Sequence, residues 1–278
     1  MAETDDSSTP ERDRTERDRT ARDCPEKDCP EKDRTQVAAA LRRTLAGLGP
    51  SLGPSLGPGL GPGLDGAGWS DAEVAPPLAP LPPMALARGR VHEFTGPARR
   101  TLAAAAAGVA QAEGVVVWLR PGWRSEGLCP QGLAALVPDP GALLMVACPR
   151  ADDLLWGMEE ALRAGCAALV IAEIVDPPDL RQVRRLHMAA SDGVARNRQA
   201  GKRLPAPLGV LAAHEAADSR VTGVESRWAL HPLPPGRGAA PWRLDRLMMR
   251  GLPPQEWAVA FSMREAEDLA RGTGVARG

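Results

Sequence analysis

The stretch GRVHEFTGPARRTLAAAAAG, residues 89–108, decides the fold. Its first part, RVHEF at 90–94, predicts a short strand, and a helix is predicted from residue 99 to residue 112 because alanine favours that structure. Only a Gly-Pro turn separates the two elements. A strand that leads directly into a helix opens a β-α-β arrangement, so we expect an α/β domain.

The same alternation continues outward along the chain. Further strands are predicted at 115–119, 143–148, 167–174 and 207–213. Helices are predicted at 130–136, 151–165 and 179–190. Continuous apolar strands separated by helices are typical of a mainly parallel central sheet flanked by helices. Partly alternating segments at 225–233, 241–251 and 256–261 then predict antiparallel strands at the C-terminal edge. We therefore expect one α/β domain over 89–262, followed by a C-terminal tail over 263–278.

The chain ahead of this domain has a different composition. Residues 11–35 repeat a charged pentapeptide five times, with almost nothing apolar, so we expect residues 1–35 to be disordered. Apolar residues at helical spacing predict a short amphipathic helix over 36–48. Dense proline and glycine over 49–88 predict a linker, because neither helix nor sheet can run through such a segment.

Composition limits the function classes. The 34 basic and 35 acidic residues give a net charge of −1, so the overall charge does not indicate nucleic-acid or membrane binding. The chain has an odd number of cysteines, five, no cleavable apolar leader and no long apolar run. These features predict reduced thiols, no membrane contact and a cytoplasmic location.

Several phrases of the sequence resemble a known family. These are the GP-x-R turn, VVWLRPGW, GLCPQGL, ACPRADDLLWGMEEALRAG and GVESRW, and they are similar to the ImuA group of RecA-like proteins and the SulA-like proteins grouped with it. The resemblance implies a RecA-like core and an accessory role in the DNA-damage (SOS) response, in mutagenic translesion synthesis. It also implies a Y-family-polymerase-like protein as partner, with RecA as a second candidate.

The first strand-to-helix turn is where the family binds ATP. A phosphate loop needs spaced glycines, a lysine for the phosphates and a hydroxyl for magnesium. Counting from Gly96, the pattern places Thr101 at the second glycine, Leu102 at the lysine and Ala103 at the hydroxyl. The degenerate phosphate-loop positions are Gly96, Pro97, Arg99, Arg100, Thr101, Leu102 and Ala103. We expect a pseudo-ATPase with no cofactor, no metal and no catalytic residue.

Two other family positions support this interpretation. The catalytic glutamate that the family has after the second strand matches a position near Pro121, which cannot polarise a water. The acidic position after the ALVIAE strand is kept as Glu173, which we interpret as a vestigial or hydrogen-bonding carboxylate, with a metal ligand as the alternative. Arg99 or Arg100 could contact an anion at the helix N-terminus, and two solvated arginines are the alternative.

Two sets of residues are candidate contacts with partners. One is the concentrated basic stretch, which consists of Arg181, Arg184, Arg185, Arg196, Arg198, Lys202 and Arg203. It fits either a solvated surface or contact with a nucleic-acid backbone. The other set is Trp123 and Trp257, which fit either a partner-facing surface or a cap on the core. In contrast, Trp118, Trp156 and Trp228 lie in apolar patterns and are expected in the core.

Two other functions remain open from the sequence. The SulA-like label implies an inhibitor of cell division acting on the tubulin-like division ring. An active nucleotide-binding ATPase with an atypical loop is the second alternative.

Overall fold

The computed structural model of the protein describes residues 39–41, 43–44, 76–199, 204–213, 221–234 and 241–260. Its strands are β1 (Val91–Thr95), β2 (Val115–Pro121), β3 (Leu144–Cys148), β4 (Ala167–Ile174), β5 (Leu208–Ala213), β6 (Ser226–Pro232), β7 (Trp242–Met249) and β8 (Gln255–Val259). Its helices are α1 (Arg99–Ala110), α2 (Pro130–Ala134), α3 (Ala151–Ala164) and α4 (Leu180–Gln199), with a 3₁₀ turn at Pro140–Ala142.

All eight strands form a single sheet in the order β3-β2-β4-β5-β1-β6-β7-β8. The pairings from β3 through β6 are parallel, whereas β7 is antiparallel to both of its neighbours. The predicted fold class, a mainly parallel α/β sheet with antiparallel pairing at the C-terminal edge, is confirmed. The prediction for β6 is wrong in one respect, because β6 lies beside β1 and runs parallel to it.

The two faces of the sheet carry separate cores, because successive side chains of a strand point to opposite faces. The core on the α1 side includes Phe94, Trp118 and Trp228. The core on the α3 and α4 side includes Val91 and Met158. Strands β4 and β5 are buried along their full length. The centre of the sheet is therefore inaccessible, and ligands can reach it only at the strand ends.

The predicted linker ends earlier than residue 88. Leu78, Leu81, Met84 and Leu86 are at most 4% exposed and belong to the core on the α1 side. Residues 78 and 86 exchange two backbone hydrogen bonds of 2.9 and 2.8 Å. The linker prediction therefore does not hold for residues 76–88, because the leucines and methionine between the prolines bury apolar surface.

The remaining boundary predictions lie partly outside the described residues. Within the helix predicted over 36–48, residues 39–41 and 43–44 are helical, and Leu41 is buried in the core on the α3 and α4 side. The predicted disorder over 1–35, the linker over 49–75 and the tail over 263–278 fall outside the described residues and stay predictions.

Helix α4 continues nine residues beyond its predicted end. Its start is fixed by a reciprocal cap, in which Asp179 Oδ1 accepts from the Gln182 amide and Gln182 Oε1 accepts from the Asp179 amide. Its last turns pack closely on α3, because a Cβ on Gly193 would lie 2.2 Å from the Leu162 carbonyl oxygen. The Asn197 amide also donates to the Gly165 carbonyl at 2.7 Å. This close packing extends the helix beyond its apolar pattern.

Strand β1 buries a histidine on the α1 side of the sheet. His92 Nε2 lies 3.0 Å from the Ala87 carbonyl, which can only accept, so Nε2 carries the proton. Nδ1 then accepts from the Ser226 hydroxyl at 2.7 Å, and that hydroxyl oxygen accepts from the Trp228 indole at 2.9 Å. The network satisfies a neutral imidazole and ties β1 to β6.

The opposite face of β1 buries a carboxylate. Glu93 is 3% exposed and lies directly across from Arg227 of β6, whose Nε donates to it. Arg227 also donates from Nη2 to the Val221 carbonyl at 2.6 Å. Burial raises the pKa of Glu93, and the charge of Arg227 acts in the opposite direction. Both polar side chains of β1 therefore have a hydrogen-bond partner on β6.

The buried histidine makes stability dependent on pH. Burial lowers the pKa of His92 from 6.5 to about 4. Between these two pH values, His92 is protonated in the unfolded chain and neutral in the folded chain. The stability that neutral His92 allows is complete above pH 6.5 and is lost as the pH falls towards 4, by about 3 kcal/mol in total. We expect the free energy of unfolding, measured by urea denaturation between pH 7 and pH 4.5, to fall accordingly.

The control is His92→Gln, which cannot titrate. His187 also has a lowered pKa because of burial and contributes in the same direction, whereas the raised pKa of Glu93 contributes in the opposite direction. Only the difference in pH slope between the wild type and the variant isolates His92. Equal slopes would contradict the assignment.

Candidate functional site

The candidate site lies at the carboxyl ends of β1, β2 and β4, where α1 begins. Only three residues, 96–98, separate β1 from α1. Gly96 has a φ of +81°, a left-handed conformation that favours glycine. The Ala98 amide donates to the Leu230 carbonyl at 3.1 Å, and a Cβ on Gly96 would lie 3.0 Å from the same oxygen. The backbone of the turn therefore packs closely against the end of β6.

This geometry shows where the degenerate phosphate-loop positions lie. A phosphate loop places four residues between its glycines before the lysine and hydroxyl open the helix. Here the helix has already begun at Arg99, and Leu102 and Ala103 are fully buried inside it. Arg99, Arg100 and Thr101 are half-buried in the first turn of the helix, and only Pro97 is an exposed turn residue. The turn consists of residues 96–98 alone, so the positions from Arg99 onward lie in α1, where the sequence predicts a helix.

A salt bridge occupies the space in front of this turn. Glu173, at the end of β4, is 7% exposed. Its Oε2 accepts from Arg100 Nε at 3.1 Å and from Arg100 Nη2 at 2.7 Å. Two residues that are 73 positions apart therefore form a charged pair where the first helix meets the sheet.

Two more groups complete this cluster. The Trp118 indole of β2 donates to Glu173 Oε1 at 2.9 Å. Glu126 lies 3.6 Å from Arg100 Nη1 and is more exposed, with 58% of its side chain accessible. Both oxygens of Glu173 are therefore engaged, and Arg100 is held between two carboxylates.

The buried carboxylate of Glu173 is paired within the cluster, which limits its chemistry. Glu173 fits the predicted role of a local hydrogen-bond acceptor, since three N–H groups already use its oxygens. Within the described part of the chain, no group of three or more His, Cys, Asp or Glu side chains could hold a metal ion. Pro121 ends β2 as a buried residue beside the edge strand.

A nearby thiol is also unreactive. Cys148 ends β3, and its backbone oxygen accepts from the Gly122 amide at 2.7 Å. Burial raises the pKa of the Cys148 thiol to about 12, and the charge of Asp153 adds to this effect. The thiol is therefore protonated at neutral pH and is not a nucleophile.

The tryptophans with a predicted location follow that prediction, with one exception. Trp118 and Trp228 are buried and Trp123 is 42% exposed, whereas Trp156 is only half-buried. Trp257, for which a partner-facing surface and a core cap are both open from the sequence, stacks on Trp228 with ring centroids 6.1 Å apart. It therefore caps the core, and Arg246 lies over its outer side, 5.2 Å from the ring centroid.

The structure brings five of the predicted basic residues onto one helix. Arg181, Arg184, Arg185, Arg196 and Arg198 all lie on α4 and are exposed. Arg185 donates to Glu159 of α3 at 2.6 Å. Lys202 and Arg203 lie outside the described residues. The Arg100–Glu173 pair belongs to α1 and β4, so the site and the basic helix are separate features.

Sequence reasoning identified Arg100 and Glu173 separately but not as partners. The signal was a charged residue at each of two element ends that meet at the same edge of a parallel sheet. The pairs in the middle of β1 were missed. Their signal was the occurrence of His-Glu and Ser-Arg inside the apolar strand segments VHEF and ESRW, which become neighbours.

Comparisons with known proteins add little to this geometry. No family model matches the chain, and no curated protein matches it. Among solved structures, the chain is similar to SulA from Pseudomonas aeruginosa, at 17% sequence identity and a TM-score of 0.33. The match covers 44% of this chain and 95% of that chain. A TM-score this low assigns neither a family nor a function.

The Arg100–Glu173 pair should be energetically coupled. Arg100→Met leaves a buried carboxylate with one hydrogen bond, and we expect it to lower the free energy of unfolding by about 1–3 kcal/mol. Glu173→Gln should cost less, because Arg100 is more accessible to water and the new amide oxygen can still accept from Trp118. The double variant should be more stable than the sum of the single effects by about 1 kcal/mol. Chemical denaturation measures all three, and simple additivity would contradict the pairing.

Proposed function

We propose that this protein is a non-catalytic, RecA-like accessory factor of the DNA-damage (SOS) response that supports mutagenic translesion synthesis through protein contacts. The basis is the resemblance of the phrases around 115–123, 148–165 and 223–228 to the ImuA group. Such a role needs a surface for a partner and no nucleotide chemistry.

One observation carries the non-catalytic part of the proposal. The salt bridge between Arg100 and Glu173 fills the place where the resemblance implies a nucleotide phosphate and its metal. An anion there would have to displace Glu173 from Arg100 and leave a buried carboxylate unpaired, which is costly. No lysine occurs in the first helix to offset this cost. A domain with such a site is suited to docking and not to hydrolysis.

The proposal places the partner at the β2–β3 edge of the sheet. Trp123 follows β2 and is 42% exposed, and Met145 on the edge strand β3 is 41% exposed. Tryptophan and methionine are enriched at protein interfaces. We assign this edge to the Y-family-polymerase-like partner, with RecA as the second candidate.

Nucleotide binding is directly measurable. We expect isothermal titration of the full chain with ATP and Mg²⁺ to give no saturable binding tighter than about 100 μM, or roughly −5.5 kcal/mol. The physical reason is the occupied Arg100 and the absence of a lysine. Saturable binding below that limit would instead favour an ATPase with an atypical loop.

The cellular role predicts a mutagenesis phenotype. Deleting the gene in the organism of origin should lower the frequency of mutations after ultraviolet exposure, and the wild-type gene should restore it. Trp123→Ala should fail to restore it and should also lose co-purification of the polymerase-like partner. Leu252→Ala is the matched control, because Leu252 is similarly exposed, at 47%, but lies between β7 and β8.

Two outcomes would contradict this function. One is an unchanged ultraviolet mutation frequency in the deletion strain. The other is filamentous, undivided cells on overexpression together with normal mutagenesis, which would favour a SulA-like inhibitor of cell division.

A further inference from the structure

Helix α4 carries an outward row of arginines that the proposed function does not use. The sequence pattern places Arg196 and Arg198 in a loop, but the structure continues the helix through Gln199. With a rise of 1.5 Å per residue, the row from Arg181 to Arg198 spans about 25 Å. We propose that this arginine row, which consists of Arg181, Arg184, Arg185, Arg196 and Arg198, is a docking surface for the phosphate backbone of duplex nucleic acid.

The arginine row is concentrated on one side of the helix. At 100° per residue, Arg181, Arg184, Arg185 and Arg196 fall within an arc of about 120°. The buried residues of α4 lie on the opposite side, where they pack in the core or against α3. Met188, 65% exposed, lies in the middle of the arc. The helix therefore holds these charges in a fixed array that faces away from the domain.

Most of these charges have no internal partner. Among the described residues, only Arg185 of the row forms an ion pair, with Glu159. The one acidic side chain of α4, Asp192, lies 3.6 Å from Arg163 of α3. Glu159 and Glu160 of α3 also bind Arg163, so these two carboxylates are already engaged. Arg181, Arg184, Arg196 and Arg198 remain available to an external anion.

The chemistry of the row favours a phosphate backbone. Arginine binds phosphate oxygens through two parallel N–H groups, and neighbours at positions i and i+3 or i+4 lie about 5–6 Å apart. Helix α4 contains no Phe, Trp or Tyr, so it offers no stacking surface for unpaired bases. Duplex DNA supplies one negative charge per ~1.7 Å of its axis. The row should therefore prefer duplex over single strands and show no sequence preference.

This inference is independent of the proposed function. The arginine row and the Trp123 edge involve different elements, α4 on the one hand and the end of β2 on the other. A protein that binds duplex DNA through α4 could lack any polymerase partner. A protein with a polymerase partner could likewise fail to bind duplex DNA. The two proposals therefore fail separately.

The test is fluorescence anisotropy of the full chain with a labelled duplex of about 20 base pairs, over a salt series. Four contacted phosphates predict a slope of about −3.6 in log K against log salt, and affinity should fall about 150-fold between 50 and 200 mM salt. Arg181→Ala/Arg184→Ala should reduce the slope by about 2 and weaken binding at least 10-fold at 50 mM salt. Circular dichroism should confirm that this exposed double variant stays folded.

The matched control compares two variants that each lose a single arginine. Arg181→Ala should shift the salt slope by about 1, whereas Arg124→Ala, in the turn after β2, should leave it unchanged. An unchanged slope in the double variant would overturn the proposal. So would equal affinity for a single strand of the same length, or competition by poly-glutamate as strong as that by duplex DNA, which would make the surface a site for acidic proteins.

Discussion

A buried carboxylate at the end of an apolar strand is the constraint on which the site depends. Glu173 sits at the end of β4, almost out of reach of water, and an isolated charge there would be strongly unfavourable. Arg100 reaches it from the first turn of α1, which only three residues separate from β1. That short turn in turn needs Gly96 in a left-handed conformation and a hydrogen bond to the end of β6. The ion pair, the turn and the strand order thus require one another.

The centre of the sheet follows the same physical rule. Strand β1 carries His92 towards one face and Glu93 towards the other, and β6 supplies Ser226 and Arg227 as their partners. Burying these groups without partners would cost free energy, so the register of β6 on β1 is specified by polar matching as well as by apolar burial. A shift of one residue would break both sets of contacts at once. This explains how a strand late in the chain finds its place beside the first one.

Much of the fold could be predicted from the sequence, because the buried strands are continuous apolar runs. The segment AALVIAEI, predicted as a strand over 167–174, is β4 with the same limits. Local patterns could not show that β6 pairs with β1, since that depends on contacts between distant residues. The end of α4 was missed because close packing at Gly193 replaces the usual apolar pattern there. The packed segment 76–88 was missed because its high proline content predicts a linker, although four of its side chains lie in the core.

Only part of the site could be predicted from the sequence, because its contacts also join distant residues. The absence of lysine between Glu93 and Gln111 is visible in the sequence, and the proposal of a lost phosphate site starts from it. That Arg100 closes the site, and that Trp118 holds the second oxygen of Glu173, requires the three-dimensional arrangement. The proposed function depends on this arrangement, in which the buried carboxylate of Glu173 is already paired with Arg100.

The indole N–H of Trp118 reports directly on this closed site, because it donates to Glu173. In an ¹H–¹⁵N NMR spectrum of the protein, the seven tryptophans give at most seven indole signals, so this one can be assigned by substitution. The account predicts a signal that exchanges slowly with solvent and keeps its position when Mg²⁺ and ATP are added. A selective, saturable shift of that signal on addition of nucleotide would contradict the central claim that the Arg100–Glu173 pair keeps the site closed.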